Sequence, residues 1–168
     1  IMHEHPMLVM LHAWARRSFM LGDPAGALLL YSFLSDLGSP VAARNAADLW
    51  ASVQSLQSFK PAVPCPAAEA SGCQLFYLRR AAALGDTEAM HLVSAREHAQ
   101  GHDEAAFRWV KRAAESGDLR GRFERALWLS VGVGDLEANV SAALEELTQM
   151  EREAPANLGV RVAVICGK

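Results

Sequence analysis

His98 and His102 stand four positions apart with Glu97 and Asp103 beside them, and imidazoles next to carboxylates are the raw material of a metal centre. A zinc site needs three or four convergent ligands. Here Gly101 lies between the two histidines, where a helix should be ending, and no further Cys or His completes the set. These side chains read as a solvated turn, His3-Glu4-His5 reads as surface, and no metal is expected. Cys65 and Cys73 are eight positions apart. A disulfide pinning the loop between them and a pair of reduced thiols both fit; an oxidising compartment favours the bridge, the cytosol the thiols. Cys166 is left over as an inert, packed thiol. Asn139-Val140-Ser141 is an N-glycosylation acceptor triplet, which matters only in a secretory setting.

Catalytic patterns are missing from the sequence. There is no Gly-x-Ser-x-Gly elbow, no phosphate loop ending in Gly-Lys-Ser or Gly-Lys-Thr, and no His-Glu-x-x-His helix. Gly132-Val133-Gly134 follows a helical stretch rather than a strand, so it lacks the setting of a dinucleotide fingerprint. The carboxylate pairs Glu145-Glu146 and Glu151-Glu153 fall on an amphipathic helix and read as solvated charge. The chain is therefore expected to bind rather than catalyse, with no catalytic residue and no cofactor.

The elements that would present such a surface are helices. Tyr77-Leu78-Arg79-Arg80-Ala81-Ala82-Ala83-Leu84-Gly85-Asp86 recurs as Trp109-Val110-Lys111-Arg112-Ala113-Ala114-Glu115-Ser116-Gly117-Asp118, 32 residues later. Units of that length each fold as a helix pair and stack on their neighbours. The aromatic lies four residues before the first alanine and the glycine four after it, so all three share one helical face. The alanine pairs allow a neighbouring helix to approach closely, and Gly85 and Gly117 suit the left-handed residue that ends a helix. Leu28 to Gly38 fits the same frame with Leu34-Ser35 in place of the alanines, and Ala143 to Ala154 is an eroded copy. A small residue recurs four positions after each glycine, at Ala42, Ala89 and Gly121, where the next helix should make close contact.

The spacing predicts helices near 6–21, 24–37, 40–57, 74–84, 87–99, 103–116, 119–131, 137–153 and 156–165, and no strand. Pro24 and Pro40 sit in first helical turns behind the caps Asp23 and Ser39. Lys60 to Gly72 interrupts the rhythm with three closely spaced prolines and stretches the interval from Gly38 to Gly85 to 47 residues. The expected architecture is an all-α solenoid of stacked antiparallel helix pairs forming one domain, 1–168. It comprises repeats at about 6–38, 39–85, 86–117 and 118–154, a capping helix at 155–166 and a proline-rich loop at 60–73.

The succession of a small residue, a Gly-x-Gly loop at Leu129 to Asp135, an acidic residue and Ala-x-x-aromatic-x-x-x-Ala-Ala-x-x-Gly resembles the Sel-1-like repeat, a TPR-like helix pair. The resemblance covers roughly residues 12–154. Ala13-Trp14 through Gly22-Asp23, Ala27, Tyr31, Leu34, Gly38, Val41-Ala42 and Asn45-Ala46-Ala47 is similar to the carboxy-terminal repeat block of lumenal adaptors of the ER-associated degradation (ERAD) ubiquitin ligase. So is the ending, where Ala154-Pro155 precedes Leu158, Val160, Val162 and Val164. Departures are Glu97 in place of an aromatic and the missing alanine pairs of the first and last repeats. The resemblance implies a non-enzymatic adaptor in the endoplasmic reticulum lumen or an ER membrane complex, with an ER membrane ubiquitin ligase and lectin-type recognition factors as partners. The alternative is a Sel-1-like adaptor or accessory subunit of a large complex in a mitochondrial, cytosolic or bacterial setting.

Composition agrees with a stack of thin helices: 51% hydrophobic but only 7% aromatic over 168 residues. A net charge of −3 provides no broad basic surface for nucleic acid, and no run approaches the roughly 20 apolar residues of a membrane span. Starting at Ile1 without an initiator Met or a signal-peptide pattern, the chain is expected to be a mature or excised fragment. Outward positions of first helices are the candidate partner-binding residues: Arg44, Asp48, His91, Arg96, Phe123 and Trp128. Arg44, Asp48 and His91 are expected to face solvent, whereas Phe123 and Trp128 also fit core packing, and Trp14, Trp50 and Trp109 are assigned to packing.

Overall fold

The computed structural model describes residues 5–53, 65, 67, 69–133 and 137–153. Among them are eight helices and no strand: α1 (Pro6–Met20), α2 (Pro24–Asp36), α3 (Pro40–Val53), α4 (Ala70–Ala83), α5 (Thr87–Ala99), α6 (Asp103–Glu115), α7 (Leu119–Val131) and α8 (Val140–Glu153). The capping helix expected at 155–166, Cys166, His3-Glu4, the tail of the helix expected to reach 57 and most of the proline-rich segment lie outside the described residues.

One turn is used five times. Gly22, Gly38, Gly85, Gly101 and Gly117 all have φ between 79° and 103°, the left-handed region in which a side chain is strained. In each case the N–H of the residue after the glycine reaches back to a carbonyl five positions earlier. Asp23 bonds Ser18, Ser39 bonds Leu34, Asp86 bonds Ala81, His102 bonds Glu97 and Asp118 bonds Ala113, at 2.9–3.2 Å. The glycine N–H bonds the carbonyl three positions back, so the last carbonyls of the helix are satisfied within the turn. Gly22 to Gly38, Gly85 to Gly101 and Gly101 to Gly117 are each 16 residues. The 32-residue repeat is thus two near-equal helix-plus-turn units.

The residue after the glycine then caps the next helix. Side-chain oxygens of Asp23, Ser39, Asp86 and Asp118, and of Asn139 before α8, accept from the N–H groups of Gly26, Ala42, Ala89, Gly121 and Ala142 at 2.7–3.2 Å. His102 occupies the same place before α6 without a side-chain cap bond. The recurring small residue is thereby explained twice over: its N–H is held by the cap, and its side is pressed against another helix. Ala42 and Ala89 are fully buried and Gly121 is buried.

The described chain divides into two compact units, Ile1–Val93 and Ser94–Lys168. Within the first, α1 packs on α2, α2 on α3 and α3 on α4. Ala27, Leu28 and Leu34 of α2, Ala42, Ala43, Ala46 and Ala47 of α3, and Ala81 and Ala82 of α4 are fully buried. Tyr77, buried beside the alanine pair, exchanges a hydrogen bond with Ser32 at 2.8 Å. Arg80 donates to the Ser35 carbonyl at 3.1 Å and pairs with Asp36 at 2.8 Å, closing the carboxyl end of α2. Within the second unit, α6 packs on α7 and α7 on α8. The tightest approach is at Gly121, where an added Cβ would lie 2.7 Å from the Ala114 nitrogen and 2.8 Å from the Ala113 Cβ.

Helix α4 starts at Ala70, a turn earlier than the expected 74, and takes in Ser71 and Gly72. Two contacts organise that turn. Cys65 and Cys73 are joined by a disulfide with their Cα atoms 5.7 Å apart, and Ala67 packs so near Gly72 that an added Cβ would meet its Cβ at 2.6 Å. Tertiary contact of this kind supplies helix stability that local propensity does not. Helix α8 begins at Val140 rather than 137, because Asn139 is its cap.

Candidate interaction surface

In the second unit, α6, α7 and α8 enclose a groove of about 1150 Å³, with Phe107, Leu129 and Leu144 among its apolar lining and Lys111, Arg122, Arg125, Glu145, Glu146 and Arg152 among its charged lining. Turns of α7 bring Arg122 and Arg125 to one side three residues apart, and Glu146 of α8 sits between them. Arg122 Nε donates to Glu146 Oε1 at 2.8 Å, Arg125 Nη2 donates to Glu146 Oε2, and Arg122 Nη1 donates to Glu153 Oε2. Burial pushes the Glu146 carboxyl up, but the two guanidiniums outweigh it and hold the group below the usual carboxylate range. Glu153 is lowered by Arg122 and then by Gln149. Arg122 is in turn raised by Glu146 and Glu153, so its charge is secure. The expectation that Glu146 and Glu153 are merely solvated charge is corrected: they fasten α8 to α7.

A second cluster surrounds the turn at Gly101. His98 Nδ1 meets Asp103 Oδ1 at 2.5 Å and His102 Nδ1 meets Glu97 Oε2 at 3.1 Å, two crossed pairs over the same turn. Glu97, the departure from the aromatic pattern, is buried here. Among the described residues no group of three His, Cys, Asp or Glu side chains is placed to hold a metal ion. Trp128 of α7 lies against the His98 ring at 5.2 Å between centroids and stacks on Phe107 at 6.0 Å and 21°. It is half-buried and serves packing as much as surface.

The six candidate partner-binding residues do not converge on one patch within either unit. In the first, Arg44 of α3 is engaged with Asp86 at 3.4 Å, and Asp48, one turn on, is exposed. Desolvation pushes the Asp48 carboxyl up, Arg44 opposes this and Asp86 adds to it. His91 is only 4% exposed, against the expectation that it faces solvent. It lies in α5 between Met90 and Val93, which are also buried, so its position belongs to the inner face. In the second unit Arg96 is half-buried and Phe123 is exposed on α7, away from the core it was also suited to.

The tryptophans also divide. Trp50 is buried as packing requires, and Trp109 is half-buried with the Arg112 guanidinium 5.7 Å from its ring centroid. Trp14 is corrected: it is 63% exposed on α1, because the stripe of α1 that meets α2 is centred on Ala15 instead. Asn139 is exposed and caps α8 through its side-chain oxygen. The groove residues Arg122, Arg125 and Lys111 escaped the sequence reading; the available signal was the basic pair at i and i+3 in α7 facing a helix rich in glutamate.

No helix among the described residues is long and apolar enough to cross a membrane. Compared with known protein families and with curated proteins, the chain matches none of them.

Proposed function

We propose that the protein is a non-enzymatic scaffold of Sel-1-like helix pairs, divided near 6–38, 39–85, 86–117 and 118–154, and that it serves as a lumenal adaptor of an ER-associated degradation ubiquitin ligase. The observation that carries the scaffold reading is the recurrent join. Five glycine turns of one geometry, four of them followed by a helix with a side-chain cap, join consecutive helices, and within the units α1 packs on α2, α2 on α3 and α6 on α7. Such a chain spends its small side chains on helix contact and leaves its polar and apolar surface for partners. The charged groove of the second unit is its recognition surface, and Asp48 in the first unit and Phe123 in the second are separate outward positions open to partners.

The compartment is supported by the Cys65–Cys73 bridge, since structural disulfides persist in oxidising compartments and are rare in the cytosol. The exposed Asn139 of the acceptor triplet is compatible with the same setting. Two measurements test the proposal. Affinity purification from the source cells should recover ER ligase components and lectin-type factors; cytosolic or mitochondrial partners without them would remove the ERAD assignment and leave a Sel-1-like scaffold elsewhere. Mass spectrometry of native material should find the bridge intact. A screen that found turnover abolished by one polar substitution would overturn the non-enzymatic reading.

A further inference from the structure

Helix α1 is apolar on both sides. Its inner stripe is Leu8, Leu11, His12, Ala15 and Ser18, with Ala15 fully buried and His12 bonded to Ser39 at 3.0 Å. Its outer stripe is Met7, Met10, Trp14, Arg17 and Leu21, all exposed; Met10 is 65% and Leu21 74% accessible. The intervals along that outer stripe alternate three and four, the spacing of a seam that packs against another helix. A helix that is hydrophobic all round belongs in an interior, and an exposed apolar run of this length marks an interaction site.

We propose that the outer stripe of α1 is the docking seam for an amphipathic helix of a partner protein that carries a carboxylate opposite Arg17. The choice of occupant follows from charge. From Pro6 to Leu21 there are two arginines, Arg16 and Arg17, and no acidic residue. Neither arginine has an ion-pair partner among the described residues. Arg17 stands inside the apolar stripe, so whatever covers the stripe must supply a counter-charge there. A second copy of the same face would set Arg17 against arginine in parallel pairing and against Met10 in antiparallel pairing, with no carboxylate in either. A lipid surface would have to take Arg17 among the acyl chains, whereas interfacial helices keep their charges on the opposite face. Methionines at two seam positions suit a partner helix, because their flexible side chains adapt to the knobs they meet.

This deepens the scaffold reading and rests on it. The test uses the full chain and two fluorescently labelled synthetic helices with leucine at every seam position except a central one, which is Glu in one and Lys in the other. Anisotropy titration should show the Glu helix binding at least about tenfold more tightly, the equivalent of one charge contact. Arg17→Glu should reverse that preference, and Trp14→Ala should weaken both. Both substitutions are at exposed sites, and circular dichroism checks that the variants remain folded. Binding of neither helix would overturn the proposal, as would a preference that survives Arg17→Glu. Trp14-dependent binding to phosphatidylcholine–phosphatidylserine vesicles in place of the helices, or self-association lost in Trp14→Ala, would overturn it too. Partner recovery by affinity purification that is unaffected by Trp14→Ala would keep the scaffold and discard the seam.

Discussion

Ser35 shows what a single atom costs. It occupies the place of the second alanine of the pair, is fully buried, and its hydroxyl has no hydrogen-bond partner among the described residues. Ser35→Ala should therefore stabilise the protein by about 1 kcal/mol by removing an unmet polar group, read as a rise in the thermal midpoint. Glu146 is the opposite case, a polar group fully answered. Its carboxyl is held below an ordinary value of 4.5 in the folded state, so its contribution is complete above the unfolded value and is lost as the pH falls through the lower folded one. Glu146→Gln should cost about 1–3 kcal/mol at neutral pH and should flatten the fall in stability on acidification, measured by urea titration across the acid range. Gly121→Ala has no room: the groups that would meet the new methyl belong to the Ala113 and Ala114 backbone and Cβ. A loss of about 1–3 kcal/mol is expected from overpacking, visible in the same titration.

Among the elements, the glycine turns separate steric room from backbone conformation. Around Gly117 there is open space for a Cβ, yet φ is 86°. Gly117→Ala should lose about 1–2 kcal/mol through the backbone alone, and Gly117→Asn should lose less, since asparagine tolerates that region; denaturation midpoints of the two variants decide it. Much of this was legible in the chain, because a left-handed turn requires glycine and a cap requires Asp, Ser or Asn, so both leave letters at fixed spacing. Seven of the expected helix starts match the structure to within three residues; the exception is α4, begun by contacts from Cys65 and Ala67 that no local pattern encodes. The surface was less legible. Periodicity identifies which side of a helix is apolar but not which apolar side finds a neighbour, so Trp14 was assigned inward and His91 outward, each opposite to what packing imposes. The Arg122–Glu146–Arg125 cluster depends on how α7 and α8 meet; the basic pair of α7 and the glutamates of α8 are visible in the chain, but their pairing is not.

For the whole molecule, the disulfide is the feature that couples stability to surroundings. It closes a loop across a separation of eight residues, for which chain entropy gives about 2–3 kcal/mol. Cys65→Ser with Cys73→Ser should lower stability by that amount at most, and reductant should have no further effect on the double variant, as thermal melts with and without dithiothreitol would show. The glycine turns have a different reach. Because three residues, with a glycine in the middle, are all that join α1 to α2, α2 to α3, α4 to α5, α5 to α6 and α6 to α7, these connections have no slack. One residue inserted between Ala114 and Gly117 would rotate everything after it by about 100°, carrying Gly121 away from Ala113 and Ala114. The run of helices joined by these turns can change its length by whole hairpins but not by a single residue, much as a gear train accepts another wheel but not another tooth.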